Sequence, residues 1–184
     1  MKRARLLTLF TLVAAAPVGP AALLAQKNGE LRQLLRAPDA DQRKDAQKKL
    51  LDALLDYDAF ARQALAEHWD GLKRRDELIG VFKQMLQNRY LRQIKSHLGD
   101  EIEQQNEQID KSEASVTTLV HVREKGRERD EEIVYKLHKV GDAWKVRDIV
   151  TDEVSLVRNY KTQFHKIINE QGADKLIEKM KAKL

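Results

Sequence analysis

Cysteine is absent from the 184-residue chain, proline occurs three times, methionine three times, and aromatic residues make up only 5%. Without cysteine there can be no disulfide, no thiolate metal site, no thiol nucleophile, and no acceptor thiol of the kind a bacterial lipoprotein needs for its lipid. Also missing are a glycine-rich phosphate loop, a nucleophile elbow around a serine, an internal repeat and a low-complexity linker. The five histidines, His68, His97, His121, His138 and His165, are scattered, and no two have the i, i+2 or i, i+4 spacing that presents two imidazoles to one metal. Neither a metal site nor a cofactor is expected from these spacings. Acidic residues are lacking from the first 25 positions, which hold Lys2, Arg3 and Arg5.

What remains is 42% hydrophobic and 34% charged, too apolar for a disordered chain and too charged for a protein of several membrane spans. The length suits one domain with a modest core. The N-terminal order is a basic start, a short apolar run from Leu6 to Ala16, then Pro17, Gly19 and Pro20 before Ala21–Ala25. That order predicts a secretory signal peptide over residues 1–25, with Ala25 or Ala21 as the last residue removed, and a single exported domain over 26–184. Removing the leader leaves 31 of the 34 Lys and Arg against 29 Asp and Glu, so the +5 formal charge falls to near +2. Arg123, Lys125, Arg127 and Arg129 are interleaved with acids, which describes a solvated turn; no nucleic-acid partner is expected.

Along the remaining chain, residues 39 to 97 read as helix. Asp39 with Gln42 resembles a capping box, and Leu50, Leu51, Leu54 and Leu55 recur at helical spacing. Tyr57, Phe60, Ala61, Leu65 and Trp69 form a second run. After Gly71, Leu78, Phe82, Met85, Leu86, Tyr90 and Ile94 form one stripe of a long amphipathic helix. From Gly99 the period changes to two, weakly over Glu101–Ile109 and clearly at Val116, Thr118, Val120 and Val122. A further strand carries Ile133, Tyr135 and Leu137. Gly141 and Asp142 then turn into a strand in which Trp144, Val146, Asp148 and Val150 share a face. Ser155 is a candidate N-cap for a helix with Val157, Tyr160, Phe164, Ile167 and Ile168, closed by Gly172, and Leu176, Ile177 and Met180 mark a short last helix. Helices followed by about four antiparallel strands predict an α+β domain with one sheet face covered by helices. Such a curved sheet can hold an apolar ligand or close on an ordinary core, and periodicity alone leaves both open.

The C-terminal run Trp144, Val146, Asp148, Val154-Ser155-Leu156, Asn159-Tyr160, Gln163-Phe164, Ile167-Ile168, with Gly172 and Leu176-Ile177 before a basic tail, resembles the MlaC family, also called the toluene-tolerance family. Ala61-Arg62, Leu65 and Trp69, then Phe82, Met85-Leu86 and Tyr90, are similar to that family's helical half, so the likeness spans nearly all of the exported chain. Ala66 stands where the family often has glycine and Leu78 where phenylalanine is usual. The resemblance implies a cone-shaped fold of the nuclear-transport-factor-2-like type enclosing phospholipid acyl chains, and no catalysis. It implies a periplasmic carrier, a monomer, that shuttles lipid between the outer membrane and an inner-membrane ABC transporter carrying an MCE-domain protein, maintaining outer-membrane lipid asymmetry. An outer-membrane lipoprotein complex would be a further partner.

The apolar positions expected to line that pocket are Phe82, Leu86, Val120, Val122, Tyr135, Leu137, Trp144, Val146, Tyr160, Phe164 and Ile168; each serves a closed core equally well. Two other classes compete. Asp148 beside apolar residues could act as a general base in an exported enzyme on the same fold, although a paired structural role is favoured. A periplasmic adaptor that binds only proteins is the third.

Overall fold

The computed structural model describes residues 18–39, 41–124 and 127–184. The basic and apolar stretches of the expected leader (residues 1–17) and Lys125-Gly126 of the expected turn lie outside the described residues. The described chain begins with a helix the sequence reading did not foresee, α1 (Pro20–Arg36). Proline at its first position is compatible with the missing intrahelical N–H there, and Ala21, Leu24, Asn28 and Leu31 form its buried stripe. Its start is held from the sheet, because the Ala21 N–H donates to Glu107 Oε1 at 2.9 Å. That carboxylate satisfies one of the free N–H groups of the helix start and sits at its positive end.

The helical half continues through α2 (Lys44–Leu54), α3 (Tyr57–Leu65), a 3-10 turn (Ala66–Gly71) and the 22-residue α4 (Arg75–Ser96). The expected capping box at Asp39 is replaced by a turn. The Asp39 carboxylate accepts from Arg43 Nε at 2.8 Å, the Gln42 N–H bonds the Asp39 carbonyl, and α2 starts only at Lys44. A true side-chain cap opens α3, where Asp56 Oδ1 accepts from the Ala59 N–H at 2.9 Å.

The change of period at Gly99 marks the start of a five-stranded antiparallel meander in the order β1 (Glu101–Asp110), β2 (Glu113–Glu124), β3 (Arg127–Val140), β4 (Ala143–Thr151) and β5 (Val154–Ser155). The fifth strand, two residues long, is the addition to the four expected. The sheet is followed by α5 (Leu156–Gln171) and α6 (Ala173–Lys181), with the Ser155 hydroxyl accepting from the Arg158 N–H as the sequence predicts. One sheet face carries Ala114, Val116, Val120, Ile133, Tyr135, Leu137, Trp144, Val146 and Ile149, all buried in one core with the helices.

Two bulges interrupt the ladder. Gln105 is the extra residue in β1, and Arg147 is the extra residue in β4, where Leu137 pairs with Val146 but Lys136 with Asp148. An inserted residue bends its strand and reverses the alternation beyond it. Simple alternation would place Asp148 and Val150 beside Trp144 and Val146. Instead the bulge turns Ile149 into the core at 6% exposure and leaves Asp148 and Val150 half-buried.

Candidate functional site

Where α1 and α4 lie over the sheet, a cleft is walled by Ile94 of α4, Ile102 of β1, Val120 of β2, Ile133 and Tyr135 of β3, and Ile149 of β4. Its polar members cluster on the helices: Asn28 and Arg32 from α1, Tyr90 and Gln93 from α4, and His97 just beyond it. The Tyr90 hydroxyl donates to Asn28 Oδ1 at 3.1 Å in a buried contact. Burial raises the Tyr90 and Tyr135 hydroxyls above the ordinary tyrosine range, so both stay neutral near pH 7 and the cleft wall carries no phenolate. Arg32 bridges to the end of α4, its guanidinium donating to the Asp100 carbonyl at 3.0 Å and to the His97 carbonyl at 2.6 Å. Desolvation and then the neighbouring Arg36 lower its pKa, yet a guanidinium so placed remains a cation. His97 is fixed in turn by Asp100, Nδ1 to Oδ2 at 2.7 Å.

The free space in this cleft is about 30 Å³, the share of roughly one water molecule. A second space of about 10 Å³ shares Tyr90, Gln93 and Ile149 and runs past Leu86 and Phe60 toward Leu156. Drug-sized ligands occupy sites of roughly 300–1,000 Å³, so this cleft is closed around its own side chains.

Of the eleven positions expected to line a pocket, Val120 and Tyr135 border the larger space and Leu86 the smaller. Phe82, Tyr160 and Phe164 form an aromatic cluster between α4 and α5, with centroids 5.0–5.4 Å apart and both Phe82 contacts edge-on. Leu137 and Val146 are fully buried in the core, Trp144 is buried with Lys139 Nζ 5.2 Å from its ring centre, and Val122 and Ile168 are half-buried. Asn28 and Arg32 carry no sequence signal of the site, because residues 20–25 of α1 have the pattern of a leader and 26–36 match no motif. Ile149 is hidden from the alternating pattern by the bulge at Arg147. Ile133 already stood on the correct strand face, and Ile94 on the correct helical stripe.

Asp148 has its carboxylate fully engaged at the start of α5. Oδ1 accepts from the N–H groups of Ile149 and Val157 at 2.8 and 3.0 Å, and Oδ2 accepts from the Ser155 hydroxyl at 2.6 Å. It ties the end of the sheet to the helix start, the structural role favoured from sequence. Among the described residues, one group could hold a metal ion, and it lies outside the cleft: Glu67, His68 and His165. The fold brings together two histidines that sequence spacing keeps apart.

No helix among the described residues is long and apolar enough to cross a membrane. Curated proteins provide no sequence match. Among solved structures, the fold is similar to that of a phospholipid-binding protein from Ralstonia solanacearum determined in complex with a phospholipid. That likeness has a TM-score of 0.72 at 18% identity, covering 88% of this chain and 94% of that one. The model of the MlaC protein family matches residues 27–182, which takes in α2 through α6, the whole sheet and most of α1; the chain belongs to the MlaC family.

Proposed function

We propose that the protein is a periplasmic phospholipid carrier, exported by its N-terminal leader and working as a monomer. It takes lipid from one membrane and delivers it to the other, exchanging it with an inner-membrane ABC transporter through that complex's MCE-domain protein and with a lipoprotein complex at the outer membrane. The observation that carries this reading is the cleft between α1, α4 and the sheet, apolar on the sheet side and polar where Arg32 and His97 sit, in a chain of the MlaC family. The Ralstonia relative bound to phospholipid supports the same ligand class.

The physical task is to offset hydrophobic exposure. Two acyl chains present roughly 30 methylenes at about 0.8 kcal/mol each, or roughly 24 kcal/mol if left in water. A space near 30 Å³ cannot receive them, so loading requires α1 or α4 to move away from the sheet and open the seam along Tyr90, Ile94 and Ile149. No bond is made or broken; the three hydrogen bonds that Asp148 accepts, from the Ile149 and Val157 N–H groups and the Ser155 hydroxyl, support a structural role over that of a general base. To test the reading, the chain is expressed in a bacterial periplasm, purified without detergent, extracted with organic solvent and analysed by mass spectrometry. Near-stoichiometric phospholipid is the expected result. A folded protein free of lipid, and unable to take it up from vesicles, would overturn the carrier reading.

A further inference from the structure

Glu67 and His68 stand in the 3-10 turn after α3, and His165 stands on α5 nearly a hundred positions later. The fold brings His68 Nε2 within 3.0 Å of His165 Nδ1 and Glu67 Oε1 within 2.7 Å of the same nitrogen. One ligand atom from each residue lies within 4.8 Å of the others, and the two imidazole planes are inclined at 44°. We propose that Glu67, His68 and His165 form a binding site for a divalent transition-metal ion of the zinc type, independent of any lipid.

Two histidines and a glutamate are a recurrent zinc donor set, with ligand atoms 2.0–2.2 Å from the metal and a fourth position left for water. Nitrogens at that radius in tetrahedral array stand about 3.4 Å apart. Opening the present 3.0 Å between the imidazoles and the 2.7 Å between Glu67 and His165 to about that spacing takes shifts of roughly half an ångström by exposed or half-exposed side chains. The outer shell is in place as well. Asn169, one turn along α5, has its amide nitrogen 2.9 Å from His165 Nε2; a flip of that amide would present its oxygen to an Nε2–H and free Nδ1 for the metal. Lys161 Nζ lies 3.7 Å from Glu67 Oε2, leaving Oε1 toward the imidazoles. Nitrogen and carboxylate donors favour zinc, copper or nickel over magnesium and calcium.

Among the described residues, the other histidines lack this convergence. His97 and His138 each meet a single carboxylate, Asp100 and Asp56, and His121 has Asp130 at Nδ1 and Glu103 at Nε2, on opposite sides of its ring. A bound ion would join the turn after α3 to α5, the helix that carries Tyr160 and Phe164.

The test uses the full exported chain without an affinity tag, stripped with chelator, titrated with Zn²⁺ by calorimetry and with Co²⁺ by visible absorption. The expected result is one saturable site per chain, with affinity at least about tenfold weaker in both His68→Ala and His165→Ala and unchanged in His121→Ala. Zn²⁺ should also raise the unfolding temperature of the parent and of His121→Ala but not of the two site variants. Circular dichroism checks that each variant is folded, and Glu67→Gln, which weakens the site without removing an imidazole, replaces either one that is not. Absence of saturable binding, equal affinity in the site variants, or loss of binding in His121→Ala would each overturn the proposal.

Discussion

Ala66 sits at φ +44° and ψ −115°, a conformation an L side chain adopts only under strain, and it is the position at which the family resemblance calls for glycine. Ala66→Gly should relieve more strain than it adds in unfolded-state entropy and stabilise the fold by about 1 kcal/mol, read as a higher urea midpoint at unchanged slope. A lower midpoint would mean that the turn is unstrained. At Asp148 the two oxygens serve three donors. Asp148→Ala should therefore lose about 1–3 kcal/mol, and Asp148→Asn, which keeps one carbonyl acceptor, a smaller amount. Both folded variants should carry as much phospholipid as the parent; a loss of lipid from a variant of near-normal stability would return Asp148 to the functional site.

At the scale of elements, α1 spans the boundary proposed between leader and domain. Pro20, Ala21 and Leu24 are buried, and the Ala21 N–H is capped by Glu107 of β1. A chain beginning at Gln26 gives up these contacts and should be less stable than one beginning at Val18 by about 2–4 kcal/mol, compared by chemical denaturation. Equal stability would show that the first two turns of α1 contribute nothing to the core. The N-terminus of protein exported from cells, read by intact mass, tells which form the cell produces. α5 depends on two independent ties: Ser155 and Asp148 fix its start, and Tyr160 with Phe164 fixes its middle against Phe82 of α4. The first of these was legible because a serine N-cap is a local signal. The capping box at Asp39 was equally local and failed, because Arg43 one turn later takes the carboxylate.

For the whole molecule, the central question is which buried residues give way to a ligand. Val120 borders the internal space, whereas Val146 is completely buried and its carbonyl accepts the Asp56 N–H at 2.9 Å. Val120→Trp should fill the seam and lower phospholipid occupancy in a protein that still folds. Val146→Trp should overpack the core at a cost of about 1–3 kcal/mol, whatever its effect on lipid. Lipid mass spectrometry and denaturation on the pair separate the two roles. Unchanged lipid in folded Val120→Trp would remove this seam from the binding path.

The sequence by itself determined the order of elements from α2 to β4 and from α5 to α6, the faces of β2 and β3, the cap of α5 and the family, because period, capping residues and motif spacing are properties of short stretches of chain. Tertiary structure alone decided the rest. α1 became a core helix because β1 and the sheet face were there to cap and cover it. Ile149 replaced Asp148 in the core because pairing with β3 placed a bulge at Arg147. His68 and His165 became neighbours because α3 packs on α5. Each depends on contacts between residues far apart in sequence, formed only when the chain closes its apolar surface against itself, and no local pattern carries that information.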